Sequence, residues 1–221
     1  MDVEHDQIAS LMSERREVES GMRRWLVGRI GRNEVVLGVS GIGKVNAAFT
    51  ATQLFNEFKP DALVSSGCAG GLGSEVSVGD VVVGSEYAYH DVDFGFGAPP
   101  GQVQGMPLFF PADPGLLATA KSLRGSVDAC IHAGLMVTGD QFIAGDALIS
   151  PIRKLFPHAL ACEMESAALA HVCRIVGVPF ISFRVISDTP GAVGHSMQFQ
   201  DFWDNLANVS FNVTRAFLEA I

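Results

Sequence analysis

The sequence predicts an α/β fold: a mixed or mostly parallel sheet covered on both faces. Three observations carry this expectation. The strand-like runs are almost continuously apolar, as strands buried on both faces are. Helical runs separate them. The 24 glycines among 221 residues supply the tight turns that many strand–helix junctions need. No break in composition divides the chain, so residues 1–221 are expected to form a single domain.

The elements follow in order. After a polar N-terminus, "WLVGRI" and "EVVLGVS" (residues 34–40) read as strands around a turn at 31–33. "GIGKVNAAFTATQLFNEF" reads as a glycine turn and a helix, with Val45, Ala48, Leu54 and Phe58 on its buried side. "DALVSSG" (residues 61–67) is an apolar strand ending in the small-residue turn "CAGGLG". "GDVVVGSEYAYHDVD" is a strand, and "FGFGAPPGQVQGMP" a glycine- and proline-rich loop. A helix "PGLLATAKSL", a strand "HAGLMVTGD" and a short helix "ALISPIRKLF" come next. "ALACEM" is a strand leading into the helix "ESAALAHVCRIV", closed by Gly177 at its C-terminus. "PFISFRVISD" is the last strand. From Phe199 to the end, Phe202, Leu206, Val209, Val213 and Phe217 recur at helical spacing and predict a core-facing amphipathic helix.

Composition narrows the partners. A formal net charge of −9 argues against nucleic acid or an anionic membrane as the main partner, while leaving room for a small anionic ligand. No apolar run is long enough to span a bilayer, and "MDVEHDQIAS" is too acidic for a signal peptide. The four cysteines, at 68, 130, 162 and 173, lack metal-ligand or redox spacing and sit among apolar or small residues. They read as reduced, buried thiols of a cytoplasmic protein.

In folds of this class ligands bind at the carboxyl ends of strands. Three strands end in polar or tight-turn groups: "SSGCAGG", "ACEME" and "VISD". Glu163 and Glu165 are two apart, so in extended chain they share a side. Asp188 closes the last strand, four residues after Arg184. Carboxylates gathered in a partly dry cleft can be tuned apart, one protonated and one ionised. Each acid alone could equally be a helix N-terminal partner. "GVSGIGKV" matches the spacing of a phosphate loop, but Val45 replaces the hydroxyl residue that would hold magnesium. The turn is expected to serve close backbone approach instead. "HDVD" (residues 90–93) is a weak metal signal, one histidine and two acids.

"SGIGKVNAA", "SGCAGGL", "VGDVVV", "YHDVDFGFG", "GQVQGMP", "TGDQFIAG", "CEMESAALAHVC" and "FRVISD" occur in this order over nearly the whole chain. Together they resemble the bacterial 5'-methylthioadenosine/S-adenosylhomocysteine nucleosidases, within the purine nucleoside phosphorylase and uridine phosphorylase superfamily. The resemblance implies a three-layer α/β/α sandwich, a homodimer, and hydrolysis of an N-glycosidic bond to adenine and a 5-substituted ribose. It implies a small-molecule nucleoside as partner and neither a metal nor an organic cofactor. Asp188 matches the acid that protonates adenine N7, which implies a raised pKa. Glu165 matches the glutamate that holds the ribose hydroxyls and supports charge on the sugar, and Met164 the residue packed on the ribose. Phe142 matches the ring stacked on adenine, and the Ile143 backbone the group reading its edge. Ile42 and Phe199 match contacts to the 5'-alkylthio group, and Phe96 a residue reaching into the neighbouring subunit's site. Arg184 and Glu163 match polar residues near the water and the ribose, Cys68 a position near the water, and Ser187 and Gly70 further substrate-binding positions. Glu4, 36 residues before Ser40, matches the water-activating glutamate.

The chain departs from the family pattern in two places. Family members place a core strand before the glutamate, and Met1 stands where that strand would end. The natural start is therefore expected upstream of Met1, which the intact mass of the natural protein tests. Cys68 stands where these enzymes often carry serine, and a thiol is the weaker donor. Two rivals to the hydrolase follow. A phosphorylase of the same superfamily needs an anion site, whereas Arg15, Arg16, Arg23 and Arg24 read as a solvated helix and loop. A nucleoside-binding protein without catalysis results if the base is lost. Among methylthioadenosine, S-adenosylhomocysteine, 5'-deoxyadenosine and aminodeoxyfutalosine the sequence sets no order, since these differ only at the 5' side.

Overall fold

The computed structural model describes residues 2–20, 23–190 and 207–221. Helix α1 (Asp2–Leu11) leads into three antiparallel strands, β1 (Ser13–Ser20), β2 (Arg23–Ile30) and β3 (Asn33–Leu37). Arg15 and Arg16 thus lie on β1 and Arg23 and Arg24 on β2, not on the helix and loop that their charge suggested. The strand "SERREVES" is almost entirely exposed, so it has no apolar face by which a sequence could betray it. After a glycine turn comes α2 (Lys44–Phe58).

The main sheet is built from β4 (Leu63–Gly71), β5 (Val81–Tyr89), β6 (Phe110–Pro111), β7 (Ile131–Thr138), β8 (Ala159–Glu163) and β9 (Phe180–Asp188). Its spatial order is β6-β5-β7-β8-β4-β9, and the sheet curls until β9 also pairs with β5. The pairs β4–β9, β5–β7 and β7–β8 are parallel; β4–β8, β5–β6 and β5–β9 are antiparallel. The remaining helices among the described residues are α3 (Pro114–Ser122), α4 (Asp146–Leu155), α5 (Ser166–Val176) and α6 (Ala207–Ala220).

Alternation along the strands feeds two cores. Val82 faces a cluster with Ala47 and Ala51 of α2 and Ala167, Ala168 and Ala170 of α5. Val81 and Val83 face the opposite side, with Ile8 of α1, Ala120 of α3, and Val213 and Phe217 of α6. Helices therefore cover both faces, as the continuous apolar strands predicted. Helix α4 seals the end near Leu135 and Val137 with Ile149 and Ile152.

Three details differ from the sequence reading. The buried side of α2 is Ala47, Thr50, Ala51 and Leu54, while Val45 is 80% exposed and Ala48 only partly covered. Close packing of α2 on α5 selects small residues, which displaces the larger apolar ones to the outside. Strand β4 does not stop at Gly67 but runs through "CAGG" to Gly71. Cys130 is exposed, so the four thiols are not all buried. Of the C-terminal apolar positions, Val213 and Phe217 are fully buried. Phe199, Phe202 and Leu206 lie outside the described residues.

Among the described residues β3 pairs only with β2, and a cleft of about 440 Å³ separates β3 from the N-terminal half of β4.

Candidate active site

Strands β4, β8 and β9 meet at their carboxyl ends, where Gly70 pairs with both Cys162 and Asp188. Their tips surround a cavity of about 170 Å³. From β4 come Cys68 and Gly70; from β8 and the turn after it Glu163, Met164 and Glu165; from β9 Arg184, Ser187 and Asp188. Glu4 of α1, Ile42 of the glycine turn, and Phe142 and Ile143 after β7 also line it. Twelve candidate residues named from the sequence thus share one cavity. Phe96 does not line it: it is fully exposed in the loop after β5. Phe199 lies outside the described residues.

Arg184 organises the polar half. Its guanidinium is buried and lies 2.8 Å from Glu163 Oε2 and 3.6 Å from Glu165 Oε2. A buried ion pair holds only if its remaining hydrogen-bonding capacity is filled. Glu163 meets that condition: it accepts from the Glu165 and Ser166 amides at 2.8–3.0 Å, from the Ser166 hydroxyl, and from Thr138 Oγ1. It thereby caps the start of α5, where backbone N–H groups lack helical partners. Arg184 also donates to Ser65 and Ser166. Its approach needs Gly67, where a Cβ would come within 2.1 Å of Nη1.

Glu165 is the exposed-side partner. Its Oε1 accepts from the Gly43 amide at 2.9 Å, in a turn where Gly43 has φ of 93°. Burial raises its pKa above the usual carboxylate range, outweighing the Arg184 charge that opposes the shift. The phosphate-loop spacing is spent in this way. The Gly43 and Lys44 amides donate to Glu165 and Asp140, and Lys44 Nζ pairs with Asp91 at 2.7 Å. These two amides are therefore engaged by carboxylates. "HDVD" is likewise structural, because Asp91 holds Lys44 while the His90 ring packs against Gly139.

Glu4 and Asp188 belong to different elements that border the same cavity. Glu4 Oε1 accepts from the Cys68 amide at 3.2 Å. Asp188 is 3% exposed and accepts from the Ser187 hydroxyl at 2.7 Å. Burial and then the Glu4 charge push the Cys68 thiol up to about 12. It is a neutral S–H at physiological pH and a poor nucleophile. The cavity's described charged residues are four acids and Arg184, which two of those acids already engage.

Ser65, Thr138 and Ser166 escaped the sequence reading. All are small hydroxyls on apolar strands or at a helix start, with no spacing signal of their own. Thr138 and Glu163 become neighbours only through the β7–β8 register.

Comparison with known proteins places this geometry. Residues 2–219 match the profile of the Phosphorylase superfamily. The chain is 41% identical over 197 residues to a protein of Actinobacillus succinogenes named 5'-methylthioadenosine/S-adenosylhomocysteine nucleosidase, covering 88% of this chain and 85% of that one. It is 38% identical over 220 residues to a protein of that name from Chromohalobacter salexigens, covering 99% and 93%. The Neisseria meningitidis structure of such a nucleosidase, in complex with methylthio-immucillin-A, superposes with a TM-score of 0.94 at 35% identity, covering 100% of this chain and 96% of that one.

Proposed function

We propose, from the premise that this chain belongs to the phosphorylase superfamily and within it to the 5'-methylthioadenosine/S-adenosylhomocysteine nucleosidases, that it hydrolyses the N-glycosidic bond of these and related 5'-substituted adenosines. The products are adenine and a 5-substituted ribose. One observation of the chain itself carries the choice of water over phosphate as nucleophile. Among the described residues the cavity presents four acids and one arginine, and that arginine is engaged by Glu163 and Glu165. A phosphate dianion would meet net negative charge there.

The chemistry follows from the placement of the acids. Phe142 and the Ile143 backbone hold adenine, and Ile42 borders the apolar 5' side. Asp188 gives its proton to adenine N7 as the bond from C1' to N9 breaks, its electron pair leaving with the base. Positive charge that develops on the sugar faces Glu165, whose carboxylate Arg184 and the Gly43 amide keep in place. Water then bonds to C1' and yields its proton to Glu4, oriented by the Cys68 amide. The Cys68 thiol, protonated, fills the donor position expected of serine. Met164 packs against the ribose.

Residues 1–221 act as one domain in this reading, and two copies assemble as a homodimer. The support is an apolar exposed surface: Ile42, Val45 and Phe49 around the start of α2, and Phe94 and Phe96 in the loop after β5. Phe96 of one protomer would complete the other's site. In this reading the reaction is cytoplasmic and its products feed methionine salvage; the four free cysteines support the compartment. No described helix is long and apolar enough to cross a membrane.

The test is adenine release from methylthioadenosine and S-adenosylhomocysteine with and without phosphate. Equal rates are expected. Turnover that rises strictly with phosphate makes the protein a phosphorylase. Tight adenine binding without release makes it a binding protein.

A further inference from the structure

Asp80, Cys130 and His132 lie away from the cavity and have no part in the reaction above. Their ligand atoms fall within 4.8 Å of one another. His132 Nε2 is 3.0 Å from Asp80 Oδ2 and 3.3 Å from Cys130 Sγ. Both contacts use the same ring nitrogen, so this is not a relay in which each nitrogen serves one partner. If Nε2 carries a hydrogen, the carboxylate is satisfied and the thiol finds no lone pair there to donate to. If it does not, the thiol can donate, but the imidazole and carboxylate lone pairs then oppose each other. One proton cannot serve all three atoms well; a cation can.

From this convergence we propose a surface site for a single divalent zinc-class ion, held by Cys130 Sγ, His132 Nε2 and Asp80 Oδ2. Thiolate, imidazole and carboxylate are the donor set that selects zinc over magnesium or calcium. Tetrahedral zinc at ordinary bond lengths needs S···N and N···O separations of about 3.6 and about 3.4 Å. The S···N and N···O gaps need open by only about 0.4 Å or less, and the S···O gap, within 4.8 Å, closes toward about 3.6 Å. Cys130 and His132 are two apart at the start of β7, so they share a side of extended chain. The β5–β7 ladder fixes their position relative to Asp80, with Val81 N–H donating to the Cys130 carbonyl and Val82 opposite His132. Asp80 is pinned at both ends. Its carboxylate accepts from the Ser77 amide at 2.9 Å, and its carbonyl from the Ile186 amide at 2.9 Å. Cys130 is exposed, so an ion reaches the site from solvent and keeps a fourth position for water. Binding displaces the thiol proton to solvent.

Metal-free protein titrated with zinc is expected to take up one ion per chain through this site and to gain thermal stability in proportion to occupancy. Cobalt in its place should show a thiolate-to-metal charge-transfer band in the near ultraviolet. C130S removes that band, and H132A or D80N weakens binding by at least about tenfold. All three variants keep wild-type adenine release, which shows that they fold. Uptake and band unchanged in C130S and H132A, or no saturable uptake by the wild type, overturns the proposal.

Discussion

Arg184 is one buried cation facing two carboxylates, and most of the site's behaviour follows from that imbalance. Glu163 is satisfied by backbone and hydroxyl donors, so Glu165 bears the cost of burial and its pKa rises. An unfolded chain ionises Glu165 near its ordinary value of about 4.3. Native stability therefore falls as pH climbs from that value through the raised native one. E165Q removes this penalty. Its melting temperature is expected to exceed wild type at neutral pH, with the difference shrinking toward zero as pH drops below about 4. A difference that grows on acidification contradicts the assignment. Asp188 permits a cleaner kinetic test: D188N should lower the rate of adenine release by ~10²–10⁴, the scale of a general acid, while adenine binding measured by calorimetry is largely kept. At this scale the acids and their sequence neighbours were legible, because polar residues inside apolar strands stand out. The partners that satisfy them were not. Thr138 meets Glu163, and Ser65 meets Arg184, only through strand register, which no local pattern encodes.

Among the elements, the meeting of three strand tips is what makes the cavity. β4 must pass close to β9 while carrying no side chain at Gly67, since a Cβ there would strike Arg184 and crowd Glu4. G67A is expected to displace Arg184 and leave Glu163 without its buried partner. A loss of about 3–5 kcal/mol in denaturant unfolding is the scale of breaking such a pair. Unchanged stability together with unchanged activity would mean that Arg184 is not the organiser. The strands and most helices could be read from apolar runs and glycine punctuation. Helix α2 was found but its phase was misread, because its tight seat on α5 is lined by Ala47 and Ala51 rather than by Val45. β1 was missed for the opposite reason: nearly every residue in it faces water.

For the whole molecule, that misread phase has a consequence. Val45 and Phe49 point outward from α2 and, with Phe94 and Phe96, leave large apolar side chains exposed on the protomer. The proposed homodimer covers them. V45E combined with F49E should shift the sedimentation profile from dimer to monomer and reduce turnover, while far-ultraviolet circular dichroism stays unchanged. A wild type that sediments as a fully active monomer contradicts the assembly. The net charge of −9 does not exclude a small anion, but the acids among the cavity's described residues disfavour one there and favour water as the nucleophile. That claim is tested most directly by hydrolysing methylthioadenosine in ¹⁸O-labelled water, with phosphate present, and weighing the sugar product. The account predicts one label on the anomeric oxygen of free 5-methylthioribose, formed at a rate that E4Q lowers severely. An unlabelled sugar phosphate, or label incorporation that E4Q leaves untouched, would contradict it.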